Sequence, residues 1–170
     1  MIKILKYNWY AIYTKPRAEK KVYQKLNDIN IECYLPLQKR LKQWSDRKKW
    51  VEEPIIRSYV FVKVSEKEYY SVLNIQGISR YVTFEGKAAS IPEWQINTMK
   101  LALDVDPETE ITDKNIMPGT PVQIKAGPFM GIKGELIEYK GKKKVVVRID
   151  NIGQSLLINI PINFFEKYNV

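Results

Sequence analysis

The side chains that most often perform catalysis are nearly absent from this sequence. It contains no histidine and a single cysteine, Cys33. A Ser-His-Asp or Cys-His catalytic set, a Cys/His zinc site and an intrachain disulfide are therefore excluded. The adjacent acids Glu52 and Glu53 would point to opposite faces of a strand and cannot pair as acid and base. We expect a binding protein and not an enzyme, with no metal or cofactor.

Cations repeat along the first predicted helix. Arg17, Lys21 and Lys25 follow one another at intervals of four residues, and Lys15 precedes them. This spacing places them along one edge of a helix, where they can follow the phosphates of a nucleic acid. The alternative is the solvated, lysine-rich face of an ordinary surface helix.

A denser basic cluster lies between two predicted strands, at the tip of a predicted hairpin. Its cations are Lys39, Arg40, Lys42, Arg47, Lys48 and Lys49. Trp44 and Trp50 are interleaved with them, and cations beside aromatic rings are typical of surfaces that bind single-stranded nucleic acid. The alternative is a merely charged hairpin whose two tryptophans fold back onto the sheet.

Two aromatic residues share one face of the strongest predicted strand. Tyr59 and Phe61 alternate with Val60 and Val62, so helices that cover the valine face leave the aromatic pair to a base or a protein partner. The pattern alone favours the alternative, in which both aromatics are core residues.

A glycine-rich string follows a strand in the last third of the chain. Gly127, Gly131 and Gly134 lie within eight residues, which indicates a tight turn with positive φ. Phe129 then lies at an exposed tip or over the end of a small barrel. The string is not a phosphate-binding loop, because neither Gly-Lys-Ser/Thr nor a helix follows it.

The net charge of +9 is unevenly distributed along the 170 residues. Residues 1–103 carry all of it, whereas residues 104–170 contain equal numbers of acids and bases. An acidic, proline-containing stretch separates the two parts and has the composition of a solvated linker. We therefore predict a first domain over residues 1–103, a flexible acidic linker over 104–117 and a second domain over 118–170.

The predicted elements indicate an α+β protein. The first domain has the order β-α-β-β-α-β-α, with helices on one face of its sheet. Val22 and Leu26 lie on the apolar stripe of the first helix, and Ser65 can cap the second. The last helix begins at Pro92, and Trp94, Thr98, Leu101 and Ala102 share one of its faces. The second domain consists of short strands that indicate a five-stranded barrel. The N-terminus has no signal-peptide pattern and no stretch approaches about 20 apolar residues. We expect a cytoplasmic protein that does not enter membranes.

Three strings resemble, in order, motifs of the NusG family of transcription elongation factors. They are residues 9–22 (WYAIYTKPRAEKKV), 53–62 (EPIIRSYVFV) and 122–134 (VQIKAGPFMGIKG). The first two are similar to the family's N-terminal domain and the third to the KOW motif of its five-stranded, SH3-like C-terminal barrel. The resemblance covers residues 8–168, and its domain boundary coincides with the charge division.

The resemblance implies a set of partners for the N-terminal domain. Tyr59 and Phe61 match the patch that binds the clamp helices of RNA polymerase. The basic helix would face upstream DNA or the non-template strand, with the hairpin cations as further nucleic-acid contacts. The turn at Gly77, which we count with them, would face the other side of the polymerase cleft. Binding across the cleft would hold the clamp closed and suppress pausing without chemistry by this protein.

The resemblance also implies a role for the barrel, which in this family recruits a ribosomal protein or the termination factor Rho. Phe129 and Ile152 match the loops used there and would form a small apolar patch. We expect the protein to act as a monomer.

One departure points to a specialised member of the family. The string from Thr14 to Glu19 lacks the Ser-Gly that usually precedes this glutamate in general NusG. It is closer to paralogues such as RfaH, which act as antiterminators on selected long operons, including those for surface polysaccharides. General NusG remains an alternative, as does a KOW-containing RNA- or ribosome-binding protein that does not act on polymerase.

Overall fold

The computed structural model describes residues 5–169. The chain divides into two compact units, the first ending at Ile96 and the second beginning at Asn97. We call them the N-terminal unit and the C-terminal unit. The N-terminal stretch expected to lack a signal peptide lies partly outside the described residues. Within residues 5–169, no helix is both long and apolar enough to span a membrane.

The N-terminal unit contains the predicted helices and the predicted basic hairpin, together with short strands that the sequence did not predict. Its elements are β1 (Asn8–Thr14), α1 (Glu19–Asp28), β2 (Glu32–Tyr34), β3 (Leu37–Gln43), β4 (Lys48–Pro54), β5 (Tyr59–Val64), α2 (Glu66–Leu73), β6 (Ile78–Tyr81), β7 (Thr83–Phe84), β8 (Lys87–Ala88), β9 (Ser90–Ile91) and the start of α3 (Glu93–Val105). The main sheet is antiparallel with the order β2-β5-β1-β6, and β9 pairs with β1. Separate hairpins form from β3–β4 and β7–β8.

The core of the N-terminal unit lies between the main sheet and helices α1 and α2. Val22 and Leu26 are one turn apart on α1 and are fully buried. They belong to one cluster with Val60 and Val62 of β5 and with Val72 of α2. The four-residue spacing on the helix and the two-residue spacing on the strand thus meet in one apolar layer, as the sequence predicted.

Helix α2 begins with a capping box. The backbone N–H of Ser65 donates to Glu68 Oε2 at 2.9 Å, and the Ser65 hydroxyl donates to the same oxygen at 2.8 Å. The pair satisfies polar groups that the first turn of a helix leaves without intrahelical partners. The predicted start of this helix at Ser65 is confirmed.

Helix α3 buries a different face from the predicted one. Ile96 and Met99 are fully buried, whereas Trp94 is 49% exposed. Trp94 precedes Ile96 by two residues, which is a rotation of about 200° around a helix. Of the residues predicted to share one face, Thr98 and Ala102 are therefore buried, whereas Trp94 lies at its exposed end.

The C-terminal unit contains the remainder of α3 and one antiparallel sheet. Its strands are β10 (Glu110–Thr112), β11 (Thr120–Ile124), β12 (Lys133–Tyr139), β13 (Lys142–Ile149), β14 (Gln154–Ile158) and β15 (Phe165–Lys167). The strand order is β10-β14-β13-β12-β11-β15. Five of the six strands match the predicted ones. The sixth, β10, lies in the segment predicted to be a flexible linker.

Strand β10 forms because its residues have partners in the sheet. Ile111 pairs with Leu156 of β14, and the Glu110 carboxylate accepts hydrogen bonds from Lys140 and Lys144 at 2.7 and 2.9 Å. The expectation of a solvated linker was therefore wrong for residues 110–112, because the acidic residue that suggested solvation is bound to two lysines. The division into domains at 104–117 stays a prediction.

The centre of this sheet is apolar on both faces. Val145 and Val147 of β13 belong to a buried cluster with Ile124, whereas Val146, between them, packs with Leu157 and Ile116. A strand that is covered on both faces needs a continuous apolar run, which accounts for the three consecutive valines.

Candidate nucleic-acid interface

A groove lies between the N-terminal end of α1 and the base of the β3–β4 hairpin. It encloses about 660 Å³. Its cationic lining consists of Arg17, Lys20, Arg40, Lys42 and Arg57. Arg17 was predicted on the basic helix, which was wrong, because α1 begins at Glu19 and Arg17 precedes it with a positive φ. The groove brings Arg17 together with Arg40 and Lys42 of the basic hairpin. We call this site the basic groove.

Backbone geometry and one buried acid hold the helix side of the basic groove in place. Arg17 and Ser58 both adopt left-handed backbone conformations, with φ of 62° and 61°. The backbone N–H of Ser58 donates to Glu19 Oε1 at 2.8 Å, and Glu19 is buried. This acid therefore fixes the chain beside Arg57. Sequence reasoning missed Arg57, which lies outside both basic clusters.

A second contact ties the helix to the hairpin. Lys20 Nζ donates to the backbone carbonyl of Glu52 at 2.7 Å. Lys42 forms an ion pair and hydrogen bond with Glu53, which lowers the pKa of that carboxyl. The cationic charge of the groove is thus partly offset by glutamates at its rim.

The tip of the hairpin carries cations that do not form ion pairs. In the part of the chain that the structure describes, neither Arg47, Lys48 nor Lys49 pairs with a carboxylate. The backbone N–H of Trp44 donates to the backbone carbonyl of Arg47 at 2.7 Å and closes the turn between the strands. These cations are available to an anionic partner.

Both hairpin tryptophans are exposed. Trp44 is 54% and Trp50 is 65% exposed, and Leu41, directly opposite Trp50 in the strand register, is 49% exposed. The alternative in which the tryptophans fold back onto the sheet is therefore wrong. The hairpin presents an apolar surface beside its cations.

The remaining predicted helix residues differ in their surroundings. Lys15 and Lys21 are exposed, whereas Lys25 Nζ donates to Gln76 Oε1 at 3.1 Å.

The turn at Gly77 has a φ of +105°, and a Cβ there would lie 2.9 Å from Val22 Cγ2. Packing against α1 and the positive φ therefore require glycine at this turn, and no contact with nucleic acid is needed to explain it.

Tyr59 and Phe61 lie on the face of the main sheet opposite α1 and α2, as predicted, but they are not exposed. Phe61 is fully buried and Tyr59 is only 9% exposed. The exposed aromatic pair that the resemblance implied is therefore wrong, and the core interpretation that the pattern alone favoured is correct. One reason is that α3 begins on this face, where Glu93 in its first turn binds Lys63 of β5 at 2.8 Å. The position of α3 also means that the helices do not all cover one face of the sheet, which differs from the prediction.

Two half-buried tyrosines form the solvent-accessible part of this aromatic face. Tyr59 Oη donates to Tyr13 Oη at 2.9 Å, and Tyr34 stacks on Phe61 with ring centroids 6.2 Å apart. Tyr13 and Tyr34 are both half-buried. A partner that approaches this face would meet these rings before it meets Phe61.

Comparison with known proteins assigns the family. The family model described as "Transcription termination factor nusG" matches residues 7–100. This chain belongs to the NusG family. The family assignment made from the three sequence strings is therefore confirmed.

Full-length relatives and a solved structure agree with the assignment. The transcription termination/antitermination proteins NusG of Staphylococcus carnosus (strain TM300) and Staphylococcus aureus (strain Mu50 / ATCC 700699) are each 23% identical to this chain. Both alignments cover 94% of this chain and 94% of the relative. A structure titled "Domain interaction in Thermotoga maritima NusG" is similar in fold, with a TM-score of 0.55, 20% identity and coverage of 96% and 98% of the two chains.

The C-terminal unit of this NusG-family chain buries both residues predicted to bind a partner. Phe129 is 3% and Ile152 is 7% exposed, and Phe129 belongs to the same cluster as Val122. The expected apolar patch of these two residues was therefore wrong. Met130, next to Phe129, is 69% exposed, because the turn directs one of the two side chains inward and its neighbour outward.

Within residues 5–169, no group of three or more Cys, Asp or Glu residues is placed to hold a metal ion. Burial, together with the nearby Glu32 carboxylate, raises the pKa of Cys33 to about 11. The thiol is therefore protonated at neutral pH and is a poor nucleophile.

Proposed function

We propose that this protein is a transcription elongation and antitermination factor that binds RNA polymerase and the DNA beside it. The N-terminal unit would bind the clamp helices through the face that contains Tyr59 and Phe61, with Tyr13 and Tyr34 at its surface. Its basic groove would contact upstream DNA or the non-template strand. The protein would suppress pausing by favouring the closed clamp, so its effect is a shift in a conformational equilibrium.

The observation that carries this proposal is the convergence of two basic segments in the unit that matches the NusG family model. Arg17 comes from one segment and Arg40 and Lys42 from the other. Two acidic residues of this region already have partners within the protein, since Glu19 accepts a hydrogen bond from a backbone N–H and Glu53 pairs with Lys42. Unpaired exposed cations contribute little to stability in water but attract phosphates strongly.

We further infer that the protein is a specialised paralogue. The support is the departure at residues 14–19 and the basic, tryptophan-containing hairpin. It would act in the cytoplasm as a monomer on selected long operons, possible examples being those for surface polysaccharides. The C-terminal unit would recruit a ribosomal protein or Rho, and the exposed Met130 is a better candidate for that contact than the buried Phe129.

The test is capture of purified bacterial RNA polymerase by the full chain. Phe61 is buried, so an alanine there would disturb the fold as well as the surface. Tyr34→Glu instead places a charge at the half-buried edge of the aromatic face. Tyr70→Glu is the matched control, because Tyr70 is 73% exposed on α2, and α2 packs against the other face of the sheet.

We expect the wild type and Tyr70→Glu to capture polymerase and Tyr34→Glu to lose most of the capture. Circular dichroism establishes that each variant is folded. Equal capture by all three folded proteins would exclude the aromatic face as the binding surface. Absence of capture by the wild type would contradict the polymerase-binding function itself.

A further inference from the structure

We propose that the C-terminal unit binds an extended, acidic segment of a partner protein in a groove beside its lysine-rich turn at residues 140–144. This groove lies between residues 114–120 and the second half of β12 and encloses about 740 Å³; we call it the β12 groove. Phe129 precedes the start of β12 and Ile152 follows β13, so both lie toward the other end of these strands. The proposal therefore concerns a second surface of the unit and goes beyond the proposed function.

The floor of the β12 groove is apolar. Ile137 and Tyr139 alternate onto one face of β12 and pack against a buried cluster that contains Ile116. Both are only half-buried, and their remaining surface lines the groove. Met117, which also lines it, is 75% exposed. A flexible thioether adapts to apolar side chains of different shapes, which is typical of surfaces that bind peptides.

The groove is fixed by contacts between β12, β13 and the segment before β11. Arg148 donates to the backbone carbonyl of Ile116 at 2.9 Å. The backbone N–H of Gly119 donates to Glu135 Oε2 at 2.8 Å. A Cβ at Gly119 would lie 2.3 Å from the backbone oxygen of Leu136, so glycine is required where the segment passes β12. Because the groove is formed without a partner, little ordering entropy opposes binding.

Cations surround the apolar floor. The Nζ atoms of Lys140 and Lys144 lie 5.0 and 5.9 Å from the centroid of the Tyr139 ring. Lys114 lines the groove, and Lys142 lies directly opposite Tyr139 in the strand register. In the part of the chain that the structure describes, neither Lys114 nor Lys142 forms an ion pair. An apolar floor beside cations is complementary to a peptide that alternates apolar and acidic side chains.

The chain itself shows that this part of the unit binds carboxylates. Glu110 of β10 accepts hydrogen bonds from Lys140 and Lys144 at 2.7 and 2.9 Å. The next residue, Ile111, pairs with Leu156 of β14. An extended segment in which an acid is followed by an apolar residue is therefore already bound by two of these lysines. A partner segment of the same composition would meet the remaining lysines and the apolar floor.

The same surface is poorly suited to nucleic acid. Glu138 lines the groove, and its carboxylate would repel a phosphate. Tyr139 is the only aromatic residue among the described lining residues, and two lysines already lie near its ring. Residues 104–170 contain equal numbers of acids and bases, so no net charge draws a polyanion to this unit. These features favour a protein as the partner.

The experiment measures binding of a fluorescent peptide to the full chain by anisotropy. The peptide alternates glutamate with leucine over about eight residues, which span about 26 Å when extended. We expect a dissociation constant below about 1 mM. A peptide with lysine in place of glutamate should not bind, and one with serine in place of leucine should bind at least about tenfold more weakly.

Variants of exposed residues locate the site. Met117→Glu should weaken binding of the acidic peptide about tenfold, because it places a carboxylate on the apolar surface of the groove. Ile162→Glu is the matched control, since Ile162 is an apolar residue of the same unit that is 67% exposed and does not line the groove. It should leave the affinity unchanged. Lys114→Gln combined with Lys142→Gln should weaken binding about threefold and reduce its dependence on salt.

Circular dichroism establishes that each variant is folded. Equal affinities of the wild type and Met117→Glu, or equal losses for Met117→Glu and Ile162→Glu, would overturn the proposal. So would the absence of peptide binding, or displacement of the peptide by an oligouridylate of the same length. Met117→Glu should still capture RNA polymerase as the wild type does. Peptide binding without polymerase capture would contradict the proposed function alone, and polymerase capture without peptide binding would contradict the β12 groove alone.

Discussion

The β3–β4 hairpin and the C-terminal sheet contain the same types of residue and use them in opposite ways. In the hairpin, Arg47 and Lys48 form no ion pair in the described chain and Trp50 is 65% exposed. In the C-terminal unit, Arg148 binds Glu135 through two hydrogen bonds of 2.6 and 3.0 Å, and Phe129 is buried. Basic and aromatic residues thus form a surface in one region and a framework in the other.

The difference between the hairpin and the C-terminal sheet follows the distribution of charge along the chain. Residues 104–170 contain equal numbers of acids and bases, and the least exposed cations there are paired. Lys144 binds Glu110 at 2.9 Å with its side chain 6% exposed. A buried cation must be paired because the cost of removing its charge from water is large. An exposed cation has no such requirement, so the excess in the N-terminal unit can serve a ligand.

The pair of Glu135 and Arg148 shows how the C-terminal framework is built. Glu135 Oε2 also accepts a hydrogen bond from the backbone N–H of Gly119 at 2.8 Å, and Arg148 donates to the carbonyl of Ile116 at 2.9 Å. These contacts attach the segment before β11 to strands β12 and β13.

The largest expected difference concerns the aromatic residues. Phe129→Ala should lower the free energy of unfolding by about 3–5 kcal/mol, because it leaves a cavity in a packed core. Trp50→Ala should change it by no more than about 0.5 kcal/mol, since the ring is mainly in solvent. Urea unfolding of the full chain, followed by circular dichroism, measures both. A cost for Trp50→Ala as large as that for Phe129→Ala would show that the hairpin tryptophan is a packing residue.

A smaller difference is expected for the acids. Glu135→Gln should lower the free energy of unfolding by about 1–2 kcal/mol at neutral pH, because it removes a charge-assisted pair of hydrogen bonds. Glu53→Gln, which affects the exposed pair with Lys42, should leave stability unchanged because water screens that pair. The same urea titration compares the two variants, and equal effects would contradict the contrast.

The smallest expected effect is the change of stability with pH. Hydrogen bonds from Arg148 lower the pKa of Glu135, and those from Lys140 lower the pKa of Glu110, from an ordinary value of 4.5. A carboxyl whose pKa is lowered by folding stabilises the protein above its unfolded pKa. This contribution is lost as the pH falls through the lower, folded value.

The C-terminal unit should therefore be most stable above about pH 4.5 and lose stability progressively below it. Thermal unfolding at a series of acidic pH values measures this loss. In Glu135→Gln the loss should be shallower than in the wild type. An unchanged slope would mean that this carboxyl does not contribute to acid sensitivity.

Local patterns predicted the elements of this protein well, because they depend on neighbours along the chain. The helix at Val22 and Leu26, the helix start at Ser65 and the α+β class are confirmed. Predictions that depended on what packs against a face were wrong. The family resemblance implied surface patches at Phe61 and Phe129, which are buried, and Glu110 was expected in a solvated linker and lies in a strand. In each case the covering partner comes from a distant part of the chain.

Composition alone limited the chemistry that is open to this protein. The absence of histidine removed most catalytic and zinc-binding arrangements, and the charge of residues 1–103 indicated an anionic partner, because composition does not depend on folding. Which cations lie beside one another depends on the tertiary fold. Arg17, Arg40 and Arg57 are far apart in sequence and line one groove, since strand pairing and the contact of Lys20 with the hairpin bring them together. The exposure of Trp50 was decided in the same way, because alternation assigns a residue to a face but only packing determines whether that face is covered.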